Sequence, residues 1–311
     1  MCFGDVITAM VTPFHEDGSV HYEKAQELAV HLLNNGSDGI LVCGTTGENP
    51  TLSEEETETL FREVKDAVGK KGTVIGGAGG NHTAAVVEHI KKYNKLGLDG
   101  YLSVVPYYNK PTQAGLLEHF TAVDAAADCP VVLYNIPGRT GIKMDTDTIV
   151  KLAELKNIKA LKESTGSVDD LSQLLLKLPK EFAVYSGDDY MTFAAVAMGA
   201  AGVISVASHL VGNEIKEMVQ CIKKGNMDRA RELHLRLYPM FKGMFVTANP
   251  IPVKTALNLL GHQVGGFRLP MTEATPQETE FIRDLLRKYD LLSKTQPRTA
   301  LRKGPYVTKR K

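Results

Sequence analysis

The chain has no tryptophan, and only four cysteines among 311 residues. Cys2, Cys43, Cys129 and Cys221 form no Cys-x-x-Cys pair and no Cys/His cluster. That argues against a disulfide scaffold and a zinc ribbon, and predicts reduced thiols in a cytoplasmic protein. No apolar run reaches the ~18 residues of a membrane helix. The N-terminus lacks the charged start and apolar stretch of a secretory signal, so neither a membrane partner nor an export segment is expected. A Gly-x-Ser-x-Gly elbow is missing as well. Gly76-Gly77-Ala78-Gly79-Gly80 is glycine-rich but matches neither the dinucleotide fingerprint nor the P-loop. The nine histidines show no metal-ligand spacing, so no metal is expected.

Net charge is also missing, since 36 basic residues balance 36 acidic ones. The balance is uneven along the chain. No acidic residue follows Asp290, whereas Lys294, Arg298, Arg302, Lys303, Lys309, Arg310 and Lys311 do. A basic tail can bind nucleic acid. This one is short, one-signed and poor in apolar anchors, so residues 296–311 read as a disordered, dispensable end with no nucleic-acid partner.

What the chain does contain is a strand-then-helix unit repeated eight times. β-rich apolar runs fall at 6–11, 39–43, 73–77, 100–105, 131–135, 158–162, 182–186 and 202–206. Amphipathic stretches follow them, as at 22–34, 54–68, 84–96 and 146–155. Ser53-Glu54-Glu55-Glu56 fits a capping box at one helix start. Gly36-Ser37-Asp38-Gly39, Gly97-Leu98-Asp99-Gly100 and Gly199-Ala200-Ala201-Gly202 each precede a strand. The first glycine of each suits a left-handed helix cap. Eight evenly spaced units favour a closed (β/α)8 TIM barrel over a doubly wound sheet, with residues 1–225 as the catalytic domain. The strand pattern then stops. Helix-like stretches at 226–246, 252–260 and 276–289 predict a small C-terminal helical domain over 226–295.

Chemistry in such barrels gathers at strand C-termini. In 158–162, period-two alternation puts Ile158, Ala160 and Lys162 on one face. If Ala160 faces the axis, so does Lys162. A charged amine there is costly, and desolvation favours its neutral, nucleophilic form. A surface lysine at a strand end is the competing reading, and the local pattern does not choose between them. Tyr134 ends the neighbouring strand and can relay protons beside Lys162. Thr45 and Thr46 offer hydroxyls and backbone N–H groups to a small carboxylate. Arg139, in a Gly-Arg-Thr turn, is a candidate carboxylate clamp. His82 and His209 are secondary candidates near the mouth.

These segments resemble the dihydrodipicolinate synthases, within the pyruvate-dependent aldolases that include N-acetylneuraminate lyase. The resemblance covers residues 4–292. It rests on Gly44-Thr45-Thr46-Gly47-Glu48, Pro106-Tyr107-Tyr108-Asn109-Lys110-Pro111, Tyr134-Asn135-Ile136-Pro137-Gly138-Arg139-Thr140, Lys162-Glu163-Ser164-Thr165-Gly166, Ser186-Gly187-Asp188-Asp189 and Asn249-Pro250-Ile251-Pro252-Val253-Lys254. It implies a lyase condensing pyruvate with L-aspartate 4-semialdehyde to 4-hydroxy-tetrahydrodipicolinate, early in the diaminopimelate and lysine route. Lys162 would form a pyruvate imine, without metal or organic cofactor. Thr45 and Thr46 would hold the pyruvate carboxylate, and Tyr134, Thr46 and Tyr108 would relay protons. Arg139 would bind the second substrate, and the Gly187 and Ile204 carbonyls would line the site. Tyr108 would act in a partner's site, implying a homo-oligomer, a tetramer of paired dimers. Gly138-Arg139-Thr140 fits the synthases better than the alternative, an N-acetylneuraminate lyase or sugar-acid aldolase. A catalytically dead binding protein on the same barrel would have no need of these residues. The resemblance also implies insensitivity to lysine. Ala85, Glu54 and Thr57 stand where lysine-inhibited members carry a glutamate and two histidines.

Overall fold

The computed structural model describes residues 3–292; the basic tail expected at 296–311 lies outside them. Strands β1 (Val6–Ala9), β2 (Gly39–Val42), β3 (Thr73–Gly77), β4 (Gly100–Val104), β5 (Val131–Asn135), β6 (Ile158–Glu163), β7 (Ala183–Ser186) and β8 (Gly202–Ser205) form a closed barrel in chain order. Every neighbouring pair is parallel, and β8 pairs back onto β1, which excludes the open sheet. Strands one and eight end earlier than the apolar runs predict. Beyond them, after a last barrel bond from Met10 N–H to Leu41 O (3.0 Å), backbone donors turn to side chains. Val11 N–H donates to His209 Nε2 (3.2 Å), and Val206 N–H to the Asp189 carboxylate (3.2 Å).

Helices α1 (Tyr22–Asn34), α2 (Glu54–Val68), α3 (Thr83–Tyr93) and α4 (Gln113–Ala126) follow the first four strands. After β5 come a single turn, α5 (Pro137–Thr140), and then α6 (Thr146–Ala153). Helices α7 (Val168–Lys177), α8 (Thr192–Ala197) and α9 (Ser208–Lys223) complete the ring. Gly36, Gly97 and Gly199 take positive φ (97°, 65° and 111°), as the repeated glycines predict. The box at Ser53 is formed in both directions, at 3.1 and 2.9 Å. No helix among the described residues is long and apolar enough to cross a membrane.

Two apolar layers result. Ile7, Leu41, Ile75, Leu102, Val132, Ala160, Tyr185 and Ile204 fill the barrel. A larger layer between strands and helices holds Val6, Ile40, Val74, Leu133 and Leu161. Ala160 faces inward as the alternation predicts, but Ile158 does not; it packs in the outer layer. The β5–β6 register explains the difference. Val131 pairs with Ile158 and Val132 with Ala160, leaving Lys159 as a bulge. One extra residue reverses the parity of everything before it.

After α9 come α10 (Met227–Gly243), α11 (Ile251–Leu259) and α12 (Pro276–Lys288). Leu233, Leu237, Phe241, Val253 and Leu257 share the outer layer of the barrel. Two polar ties bind this region to the loops after β2. Lys254 Nζ meets Glu48 Oε1 at 2.9 Å, with both side chains almost fully buried, and lies 4.3 and 5.0 Å from the ring centres of Phe14 and Phe267. Arg268 pairs with Glu56, the capping-box residue of α2, through both terminal nitrogens. Removing one partner of a buried pair leaves an uncompensated charge. Lys254→Met should therefore cost about 3–5 kcal/mol. Urea unfolding measures this, and a cost under about 1 kcal/mol would contradict it.

Candidate active site

The register places Tyr134 of β5 beside Lys162 of β6, with Nζ 4.3 Å from the phenol ring centre. Both residues are 6% exposed. Among the described residues the amine has neither a hydrogen bond nor an ion pair. Burial pushes the Lys162 amine down to about 8, while Asp188 and Asp189 oppose the shift and Arg139 adds to it. Burial raises the Tyr134 phenol, offset in part by Arg139 and the Ser164 hydroxyl. At neutral pH the phenol is therefore protonated, and a useful fraction of the amine is neutral.

The loop after β2 supplies the opposite wall. It is bounded by left-handed backbone at Cys43 (φ 54°) and Glu48 (φ 55°), unusual for non-glycine residues. The buried Glu48–Lys254 pair anchors its end, and Thr12 Oγ1 donates to Gly47 O at 2.6 Å. Thr45 is exposed, whereas Thr46 is 3% exposed and its Oγ1 accepts from Asn249 Nδ2 at 3.0 Å. Thr45, Thr46, Tyr134, Arg139, Lys162 and Asp188 line a cavity of about 40 Å³. That is room for roughly three water molecules. Through Thr45, Tyr134 and Arg139 it meets a second cavity of about 200 Å³ that reaches Asn49, Pro50 and Tyr107.

Arg139 sits on α5, exposed, and its guanidinium has no ion pair among the described residues. Its turn is pinned from below. Asn135 accepts from Met144 N–H (3.0 Å) and donates to Met144 O (3.2 Å) and Glu163 Oε2 (3.0 Å). Burial raises the Glu163 carboxyl to about 7. Gly187 lines the smaller cavity, and a Cβ on it would lie 2.0 Å from Ser164 Oγ. Ile204 lies in the barrel interior, and Val206 rather than Ile204 faces that cavity. Tyr108 is not brought to it. This residue is 89% exposed and holds φ at 71°.

Sequence reasoning assigned no role to Asn249, Ser164 or Asp188. Asn249 and Asp188 stood inside quoted motifs, at a loop start and a strand end, but only the fold aims them into the cavity. His82 and His209 do not line it. His209 is buried against Val11 N–H and Val206 O (2.8 Å), and burial lowers it to about 4. Among the described residues, His15, His21 and Glu23 alone could offer a cation three ligand atoms. They lie near the surface, and His21 Nδ1 already accepts from Lys24 N–H as the α1 cap.

The lowered Lys162 amine has a direct signature. Its neutral fraction should rise with pH through about 8, well below the ordinary lysine range. Reductive ¹³C-methylation with an NMR titration measures this, and a midpoint in the ordinary lysine range would rule out the desolvated site.

A sequence profile described as the Dihydrodipicolinate synthetase family matches residues 2–289. The 4-hydroxy-tetrahydrodipicolinate synthase of Nostoc punctiforme is 52% identical over 291 residues, covering 93% of this chain and 99% of the relative. That of a Synechocystis species is 53% identical, covering 93% and 97%. The dihydrodipicolinate synthase of Cyanidioschyzon merolae, solved with lysine bound, has a TM-score of 0.92 at 49% identity, covering 93% and 99% of the two chains. The Aquifex aeolicus enzyme has a TM-score of 0.91 at 45% identity, covering 94% and 100%. Barrel, cavity and likeness agree: the chain belongs to the dihydrodipicolinate synthetase family.

Proposed function

We propose that this chain condenses pyruvate with L-aspartate 4-semialdehyde to 4-hydroxy-tetrahydrodipicolinate, in diaminopimelate and lysine biosynthesis. The observation that carries this reading is the buried, unpaired amine of Lys162 beside the Tyr134 phenol. The neutral amine attacks C2 of pyruvate, whose carboxylate rests on Thr45 and Thr46. The carbinolamine loses water with a proton delivered by Tyr134, giving the imine. Loss of a methyl proton gives an enamine, whose carbon attacks the aldehyde of the second substrate. The substrate amine then closes the ring and displaces Lys162. No metal or organic cofactor enters these steps.

Arg139 clamps the carboxylate of the aldehyde substrate, and Gly187 borders the reacting carbons. The strained, exposed Tyr108 extends the Tyr134–Thr46 relay in a second copy's site. The active unit is then at least a dimer, within a tetramer. The sugar-acid lyase reading has less support, because Arg139 presents a cation where a polyol substrate needs hydroxyl partners. Turnover of pyruvate with aspartate semialdehyde, against cleavage of N-acetylneuraminate, separates the two.

Borohydride reduction with pyruvate should add mass to the Lys162 peptide alone; labelling of another lysine would sink the assignment. Arg139→Ala should leave that trapping intact and weaken use of the aldehyde roughly 10- to 150-fold, the worth of a charged hydrogen bond. Equal losses in both assays would mean a general structural role.

Free L-lysine should not inhibit. Thr57 is buried and its hydroxyl donates to Ser53 O (2.9 Å), while Glu54 is paired with Lys92 at 2.8 Å. Ala85 offers no charge, so these three positions present no free carboxylate to the ligand's amines. Half-inhibition below about 1 mM in initial-rate assays, an affinity worth roughly 4 kcal/mol, would contradict this.

A further inference from the structure

Behind the Tyr134–Lys162 pair stands a second cross-strand pair. Asn135 lies opposite Glu163, one step further along β5 and β6. Strand alternation turns both side chains away from the barrel interior, toward the outer layer where Met144 packs. Both are buried, at 1% and 7% exposed. The Asn135 amide closes the neck of the segment that carries Arg139. Its Oδ1 accepts from Met144 N–H (3.0 Å), and its Nδ2 donates to Met144 O (3.2 Å). These two bonds have opposite sense, so the amide cannot be turned over without losing both. It therefore presents only an N–H to Glu163, whose Oε2 accepts it at 3.0 Å. The other carboxylate oxygen, Oε1, accepts from Thr165 N–H at 2.8 Å.

Glu163 thus meets a backbone donor on one oxygen and an amide donor on the other. A carboxylate satisfies both, because each of its oxygens accepts. A protonated carboxyl accepts only weakly at its hydroxyl oxygen, and a glutamine amide nitrogen does not accept at all. Either change leaves a buried donor unmet, which is costly. The charged and titratable groups that reach Glu163 are Asp170 of α7, its partner Lys143 (2.9 Å), and the Tyr134 phenol of β5. Burial raises the Glu163 carboxyl to about 7, while Asn135 and Thr165 favour the charged form. Both forms are therefore populated near neutral pH.

We propose that Glu163 is a positioning residue, holding the neck of the Arg139 segment through Asn135 and doing so only as the carboxylate. This rests on the condensation described above and adds a control behind its second-substrate side. With Glu163 ionised, the Asn135–Met144 neck and the end of β6 form one hydrogen-bonded block. When Glu163 takes up a proton, the Asn135 side chain keeps only its two Met144 bonds, and the neck is no longer tied to β6. Binding of the aldehyde substrate should therefore strengthen as pH rises and Glu163 loses its proton.

The test measures KM for L-aspartate semialdehyde against pH in the wild type, Glu163→Gln, Asn135→Ala and the double variant. Borohydride trapping with pyruvate, run at each pH, follows Lys162 and folding separately. In the wild type KM should fall as pH rises through about 7. Glu163→Gln keeps the shape and removes the charge. It should lose that step and raise KM at alkaline pH roughly 5- to 150-fold, the cost of one unmet buried donor. Trapping should match the wild type. The double variant should be no worse than Asn135→Ala alone, because the two residues act in series. A pH step that survives in Glu163→Gln, an unchanged KM, additive losses in the double variant, or an equal loss of trapping would each overturn the assignment. No turnover by the wild type would overturn the condensation reading and this one with it. Normal wild-type turnover with an unchanged KM in Glu163→Gln would overturn this one alone.

Discussion

Closure of the barrel around Lys162 is the constraint on which the other features of the site depend. An amine at an open sheet edge would be hydrated and protonated. Here β8 pairs back onto β1, the interior is filled by aliphatic and aromatic side chains, and the amine sits at its mouth with no ion pair among the described residues. Depressing it from 10.5 to about 8 costs the charged form about 3 kcal/mol. The packing energy of the fold supports that cost. Asp188 and Asp189 limit the shift, so the amine remains responsive near neutral pH rather than permanently neutral.

The barrel alone does not finish the site. The loop carrying Thr45 and Thr46 departs from regular structure at both ends, through left-handed Cys43 and Glu48. What holds it comes from far along the chain: Lys254 on Glu48, and Asn249 on Thr46. Because Asn249 Nδ2 donates to Thr46 Oγ1, the threonine proton is left free to point elsewhere. The sense of the hydroxyl is thus set by a residue 203 positions away. Arg268, on Glu56, ties the same C-terminal region to the helix that follows the loop. The helices after β8 therefore position the chemistry through named hydrogen bonds, in addition to packing against the barrel.

Much of this was legible in one dimension. Strand periodicity, glycine caps and the Ser53 capping box are local properties. They follow from side-chain alternation and from backbone angles that only certain residues tolerate. Local rules failed at Ile158, because a bulge is a property of two strands in register and not of one. They failed at His209 too, whose nitrogens meet backbone groups rather than a ligand. The difference between Asp189, bonded to the Val206 N–H, and Asp188, aimed into the cavity, was equally hidden, since two identical neighbours differ only in what surrounds them.

The sequence by itself determined the eight-fold alternation, the strand ends where polar residues collect, and the candidate nucleophile with its tyrosine. These are set by short-range sterics and by the period of apolar residues. Only the tertiary structure decided which groups are spent and which are left free. Asn249 reaches Thr46, Lys254 neutralises Glu48, Asp189 bonds the Val206 N–H, and Lys162 and Arg139 face one cavity with no ion pair among the described residues. The physical reason is that desolvation and hydrogen-bond satisfaction depend on distances between segments far apart in the chain. Those distances exist only once the barrel has closed.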